Sequence, residues 1–299
     1  MTQFYAEVIG DPIAQSKSPR IHNFWLGKLG IEADYRAIRV TLDALPDYFA
    51  SRRDDFDWRG CNVTMPLKQG IAALVDSVDP FAARAGAINI VVPDGQGLRG
   101  SNSDGSGFLE PLGTFASSGD HAALIGTGGA ARAIALALAD AGFTLSVYGR
   151  TAGSARAFIE AIGISADAFA IGDPSRNRDA TLLVNATSLG MAGHPPLPIS
   201  LADFAPNTAV YDIVTSPLDT PLLIDARARR MRSFDGLQML VGQAAVAFEL
   251  FFGAPAPLSM TPNCAGCWRH DPQARADRVD WHGQVDRRSD VRRGRDPAV

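Results

Sequence analysis

The chain has 299 residues, 46% of them hydrophobic, which is material for about two cores at roughly 150 residues per domain. Its 28 Lys plus Arg against 32 Asp plus Glu leave a net charge of −4. That balance argues against nucleic acid or an anionic membrane as partner, since both need a basic face. No run reaches the ~20 apolar residues of a membrane span. The opening MTQFYAEVIGDP lacks the basic-then-apolar form of a signal peptide, and three cysteines, an odd number, fit a reducing compartment. A cytoplasmic globular protein is expected.

In chain order, FYAEVIG (4–10) reads as a strand. SPRIHNFWLGKLG (18–30) reads as a helix, with Ser18 as N-cap and Pro19 at the first helical position. Strand DYRAIRV (34–40), helical segment LDALPDYFASRR (42–53) and strand RGCNVT (59–64) follow. PLKQGIAALV (66–75) reads as another helix opened by proline. AINIVVP (87–93) and LRGSNS (98–103) are strands parted by the turn DGQG. This alternation predicts parallel pairing with helical crossovers.

A second set begins near residue 121. HAALIG (121–126) is a buried strand and GAARAIALALADAG (129–142) a helix of small residues ended by Gly142. TLSVYGR (144–150), ATLLVNA (180–186), TAVYDIV (208–214) and MRSFDG (231–236) are further strands. SARAFIEAIG (154–163) and PLLIDARARR (221–230) are helices, and LQMLVGQAAVAFELFFG (237–253) is an apolar helix suited to lie between domains. The boundary is expected within 104–120, where SSGD marks a loop. That divides the chain into residues 1–104, joined by the helix at about 237–253, and residues 105–236. From Leu258 the text holds eight Arg, six Asp and no Lys, without hydrophobic period, so 258–299 is expected to be disordered. Cys264, Cys267, His270 and His282 lie there. A single Cys-x-x-Cys with little apolar material around it does not make a zinc site, and no metal is expected.

LIGTGGAARAIALALADAG places Gly126, Gly128 and Ala131 in a G-x-G-x-x-A spacing between a predicted strand and a predicted helix. Glycines let the backbone turn tightly beside a pyrophosphate, and a helix N-terminus offers free N–H groups. After the next strand comes Arg150–Thr151, with no acid. A guanidinium suits a ribose 2′-phosphate that a carboxylate would repel, which favours NADP over NAD.

Only three lysines occur, Lys17, Lys28 and Lys68; every other basic side chain is arginine. Arginine cannot practically release a proton, whereas lysine can serve as general acid or base. Lys68 follows Asn-Val-Thr at a predicted strand-to-helix junction. Ser16, Ser18, Thr64, Asn89 and Asp104 also fall at predicted strand or helix ends of the first half. Hydroxyl, amide, amine and carboxylate groups of this kind suit a small, polyhydroxylated, anionic substrate.

The segments GDPIAQSKSPRIHN, NVTMPLK, GAIN, NSDG, GTGGAAR, NATSLGM and DGLQMLVGQAA stand in the order found in the shikimate dehydrogenase family, which the chain resembles over about residues 4–257. The resemblance implies an α/β fold: an N-terminal substrate-binding domain, a Rossmann-type NADP-binding domain, and a cleft between them. It implies reversible reduction of 3-dehydroshikimate to shikimate by NADPH, with Lys68 and Asp104 as the catalytic pair. A cationic lysine held by a carboxylate is suited to give a proton to the reduced ketone oxygen rather than to take one. Ser16, Ser18, Thr64, Asn89, Thr215 and Gln243 fall at substrate-binding positions. Gly126, Thr127, Gly128, Gly129 and Ala130 match the phosphate loop, Arg150 and Thr151 the 2′-phosphate site, and Thr187, Ile213, Gly236 and Met239 positions lining the cofactor. A homodimer is left open.

The chain departs from the family pattern in places. Thr215 stands where the family commonly has a tyrosine, Gly149 where it has an asparagine, and Ser154 near where a second basic residue is usual, with Arg156 two positions on. NTD is NSD here. Thr215 and Gly149 leave two other readings: a paralogue oxidising quinate, often with NAD, and a non-catalytic nucleotide or metabolite sensor on the same fold.

Overall fold

Two six-stranded sheets, one after the other along the chain, organise the protein. The structure is a computed structural model that describes residues 4–95, 97–115 and 119–261. The first half runs β1 (Phe4–Gly10), α1 (Ser18–Leu29), β2 (Ala33–Arg39), α2 (Leu45–Arg53), β3 (Trp58–Val63), β4 (Ser77–Val78), α3 (Pro80–Ala85), β5 (Ile90–Asp94) and β6 (Gly97–Ser101). Its strand order is β2-β1-β3-β5-β6-β4.

The expected parallel pairing holds for only part of this sheet. β1 pairs parallel with β2 and β3, but β5 runs antiparallel to both β3 and β6. The tight turn after Asp94, with Gly95 at φ 62°, returns the chain directly, and so short a link can join only antiparallel strands. A second correction concerns residues 66–75. They form two 3₁₀ turns, Leu67–Gln69 and Ala72–Leu74, rather than one helix. In an α-helix the Lys68 carbonyl would accept from residue 72. Here it accepts from Ile88 N at 2.8 Å, which ties Lys68 to the segment leading into β5. A third correction is at α1: Lys17, not Ser18, holds the cap position, and its side chain makes no capping bond.

The second half continues through α4 (Asp104–Leu109), β7 (His121–Ile125), α5 (Gly129–Asp140), β8 (Thr144–Gly149), α6 (Ala152–Ile162) and β9 (Asp167–Ala170). It ends with β10 (Leu182–Asn185), β11 (Ala209–Asp212), α7 (Pro221–Ala228), β12 (Ser233–Asp235) and α8 (Gly236–Phe252). The order β12-β11-β10-β7-β8-β9 is parallel throughout. This is the doubly wound Rossmann arrangement, whose order reverses between β7 and β10. β4, α3, α4 and β9 are short elements that the sequence pattern did not reveal.

α8 lays Leu237, Ala244, Ala247, Phe248 and Phe251 against Ala6, Val8, Trp25, Tyr35 and Ile90 of the first half. Close packing against α4 requires glycine: a Cβ on Gly242 would stand 3.0 Å from Gly107 Cα. Residues 258–261, within the segment expected to be disordered, continue this packing. Leu258–Met260 forms a 3₁₀ turn, and Trp25 Nε1 donates to Thr261 Oγ1 at 2.7 Å. The remainder of that expectation, with Cys264, Cys267, His270 and His282, lies outside the described residues. No described helix is long and apolar enough to cross a membrane.

Candidate active site

The register gathers the first half's polar candidates at one edge of its sheet. Ser16 and Ser18 follow the carboxyl end of β1, and Thr64 follows that of the neighbouring β3. Asn89 precedes the antiparallel β5, and Asp104 follows β6. The second half's candidates line the carboxyl ends of its strands in the same way. Residues 126–130 follow β7, Arg150 and Thr151 follow β8, Thr187 follows β10, Ile213 follows β11 and Gly236 follows β12.

Lys68 Nζ donates to Asp104 Oδ2 at 2.5 Å, and both side chains are largely buried, 15% and 5% exposed. Asn89 Nδ2 donates to the other oxygen, Asp104 Oδ1, at 2.9 Å. Asn89 is itself held by the Ser103 backbone N–H, which donates to its Oδ1 at 2.9 Å. Ser103 Oγ donates to the Gln243 carbonyl at 3.1 Å, linking the cluster to α8. Asn102 accepts from Asp104 N at 2.8 Å and donates to the Ala87 carbonyl at 2.8 Å. Sequence reasoning missed Asn102 and Ser103. Their only signal was a place beside Asp104 in a polar run, which any turn would share.

Thr64 is half-buried, its N–H bonded to the Ile9 carbonyl at 2.9 Å. Its methyl group lies so close to Gly10 that a Cβ there would stand 2.5 Å away. Ser18 is buried and its N–H donates to Ser16 Oγ at 3.3 Å. Gln243 is buried on α8, and its amide donates to the Leu240 carbonyl at 2.9 Å. Thr215 is half-buried, and its carbonyl accepts from Lys17 Nζ across the gap between the two halves.

The two edges meet at Lys68. A Cβ on Gly129, the first residue of α5, would stand 3.3 Å from Lys68 Cβ. The glycine turn before α5 has the shape a pyrophosphate needs. Gly126 sits at φ 121°, and a Cβ there would be 2.7 Å from the Ala186 carbonyl. Gly128 caps α5 without any side-chain bond, and among the described residues nothing beyond its chain neighbours stands within 4 Å of its Cβ position. Close backbone, open space and uncapped N–H groups fit a dinucleotide phosphate. Ala130 is half-buried in the first turn of α5, and Thr127 is half-buried before it.

Arg150 is exposed beyond β8, as is Arg156 on α6. Thr151 is the N-cap of α6. Its Oγ1 accepts from Ser154 N at 3.1 Å, while Ser154 Oγ accepts from Thr151 N at 3.2 Å. This reciprocal pair explains Gly149, because a Cβ there would stand 2.5 Å from Ser154 Oγ. Thr187 lies beside Gly126, with its methyl 3.1 Å from that glycine's Cβ position, and its hydroxyl donates to Asn185 Oδ1 at 2.7 Å. Ile213 backs directly onto Gly236, whose Cβ position is 2.5 Å from the Ile213 carbonyl carbon. Met239 is buried in the core of the second half. A network unforeseen from sequence supports this edge. Asp212, its carboxyl pushed up by burial, accepts from Thr220 Oγ1 at 2.7 Å and from Asn185 Nδ2 at 3.0 Å. Among the described residues no cluster of His, Cys, Asp and Glu could hold a metal ion.

Residues 8–91 match the family model for the shikimate dehydrogenase substrate binding domain, and residues 236–259 match that for the shikimate 5′-dehydrogenase C-terminal domain. A shikimate dehydrogenase (NADP(+)) from Sphingopyxis alaskensis is 50% identical over 256 residues, covering 85% of this chain and 92% of that protein. This chain belongs to the shikimate dehydrogenase family. A shikimate 5-dehydrogenase from Thermus thermophilus, solved in complex with NADP(H) and shikimate, superposes at a TM-score of 0.78. It is 38% identical, and the match covers 86% of this chain and 96% of that one. A quinate dehydrogenase from Corynebacterium glutamicum, solved with NAD, superposes at 0.78 with 29% identity and the same coverages.

Proposed function

We propose that this chain catalyses the reversible NADPH-dependent reduction of 3-dehydroshikimate to shikimate, a step of aromatic amino-acid biosynthesis. Family membership and relatives named as NADP-dependent shikimate dehydrogenases support the reaction class. The observation that carries the mechanism is the Lys68–Asp104 pair at 2.5 Å, packed against the first residue of α5 at the glycine turn.

Residues 126–130 would hold the cofactor's pyrophosphate, Arg150 its 2′-phosphate, and Thr187, Ile213, Gly236 and Met239 would line the rest of its site. Thr151 would meet the 2′-phosphate through its hydroxyl hydrogen, since Oγ1 only accepts in capping α6 while the backbone N–H is committed to Ser154 Oγ. Bound there, the nicotinamide would supply the hydride that the ketone carbon takes up. Lys68 gives a proton to the ketone oxygen as negative charge grows on it. Asp104 keeps the ammonium aimed, and Asn89 keeps Asp104 in place. Ser16, Ser18, Thr64, Thr215 and Gln243 would bind the substrate's carboxylate and hydroxyls. The functional division is residues 1–104 with α8 for substrate and 105–236 for cofactor, the site lying in a cleft between them. The enzyme works in the cytoplasm on a small molecule; neither nucleic acid nor membrane is a partner, in keeping with the net charge of −4.

Initial rates with shikimate and quinate, each with NADP and NAD, test the reading. The highest kcat/KM is expected for shikimate with NADP. Quinate with NAD as the best pair would favour the paralogue, and no turnover with any pair would favour a sensor.

A further inference from the structure

Lys17 is the second of the chain's three lysines to lie at the candidate site, and the mechanism above does not use it. It stands between Ser16 and Ser18 where β1 gives way to α1. Its ammonium donates to the backbone carbonyl of Thr215, 198 residues away and on the other half of the molecule. The side chain is half-buried. Burial holds its amine below the ordinary lysine range, and Arg20, one turn along α1, pushes it the same way. Arg20 is likewise shifted down by burial. Asp235, the cap of α8, opposes these effects on Lys17. Lys17 forms no ion pair with any described carboxylate. An ammonium has three N–H donors, and one is committed to Thr215.

Arg20 repels Lys17 and Asp235 attracts it only from beyond ion-pair distance, so this partly desolvated ammonium is stabilised by an anion brought into direct contact. The flanking Ser16 and Ser18 and the facing Thr215 are all residues placed at the substrate. The one formal charge on shikimate is its carboxylate. We infer that Lys17 supplies the counter-charge for the substrate's carboxylate, held at the seam by the Thr215 carbonyl, and so selects acids over neutral analogues. This rests on the reading proposed above, since it needs an anionic substrate in that site. The Lys17 donors left after Thr215 then reach the carboxylate, and Ser16 and Ser18 add neutral hydrogen bonds. Lys17 thus selects the substrate, while Lys68 does the chemistry.

The test compares shikimate with its methyl ester, which keeps the ring and hydroxyls and loses the charge. Lys17→Met keeps the stem and removes the ammonium; Lys17→Arg restores a cation. For Lys17→Met the expected result is a rise in KM for shikimate of about 10-fold or more, the size of one charge-assisted bond. Its KM for the ester and for NADP should stay within about 2-fold of wild type, the latter because no cofactor contact is removed. The acid-to-ester ratio of kcat/KM falls accordingly, and Lys17→Arg recovers most of it. Equal losses on acid and ester would make Lys17 a clasp between the two halves and overturn the inference. So would an unchanged ratio. If Lys17→Met fails to fold, the acid-to-ester ratio of Lys17→Gln decides by the same criterion. A wild-type enzyme without shikimate turnover would instead remove the functional reading itself, and the inference with it.

Discussion

Asn89 donates to Asp104 Oδ1 at 2.9 Å, leaving Oδ2 to Lys68 at 2.5 Å. The two oxygens of one buried carboxylate are therefore divided between a residue that positions it and a residue that can give up a proton. The carboxylate cannot turn without breaking one bond or the other.

Removing the donor should stop proton transfer without removing the pocket. Lys68→Ala is expected to lower kcat by about 100-fold or more, the usual contribution of a general acid, with a much smaller change in KM. Lys68→Arg should keep the charge and remain comparably slow, since a guanidinium does not release its proton. Steady-state rates at neutral pH check both. A Lys68→Ala enzyme with near-normal kcat would contradict the assignment.

Asp104→Asn should lower turnover as well, by leaving the ammonium without its anion. Asn89→Ala should act on both stability and rate, because it strips a donor from Asp104 and the acceptor from the Ser103 N–H inside a buried cluster. The expected cost is about 1–3 kcal/mol, read from urea denaturation. Unchanged stability would mean that water replaces the amide at no cost.

The glycine turn should tolerate no side chain. Gly126→Ala places a methyl 2.7 Å from the Ala186 carbonyl at φ 121°, a conformation that L-residues rarely adopt. KM for NADP is expected to rise about 10-fold or more, with KM for shikimate much less affected. Arg150→Ala should raise KM for NADP and leave KM for NAD nearly unchanged, since only the former carries the 2′-phosphate.

Acid stability should depend on His22. It is fully buried, stacked on Tyr35 with ring centroids 3.9 Å apart, and its two ring nitrogens have no partner among the described residues. Burial pushes its pKa down from 6.5 to about 3. Between those values the unfolded chain binds a proton that the folded chain refuses. Stability is therefore fully present above about pH 6.5 and falls as the pH drops through that window, by up to about 1.4 kcal/mol per pH unit from this residue. In His22→Phe that part of the slope should vanish. Urea denaturation of both proteins at pH 7, 6 and 5 checks it; parallel curves would sink the prediction.

Much of the architecture was legible because it is written in local pattern. The strand–glycine turn–helix of residues 121–142 needs only its own residues to form, and the structure has β7, the turn and α5 at those places. Lys68 and Asp104 were singled out from residue type and position. The segment around Lys68 was misread, however. Proline followed by apolar residues looks like a helix start, and nothing local says that the Lys68 carbonyl will bond Ile88 instead. The mixed direction of the first sheet was hidden for the same reason, since strand direction is a property of pairs. Gly149 looked like the loss of a useful asparagine, yet beside Ser154 it is the residue that fits the start of α6.

The sequence by itself determined the chemical inventory: a lysine where arginine was otherwise preferred, a carboxylate, a glycine turn, and an arginine where an NAD enzyme would carry an acid. Local propensity and residue chemistry suffice for these. Only the tertiary structure decided which groups meet. Asp104 reaches Lys68 from 36 residues away, Gln243 supports Ser103 from α8, and Lys17 crosses to Thr215. Such contacts depend on sheet register and on α8 packing back across the first half, and neither is encoded within any short stretch of chain.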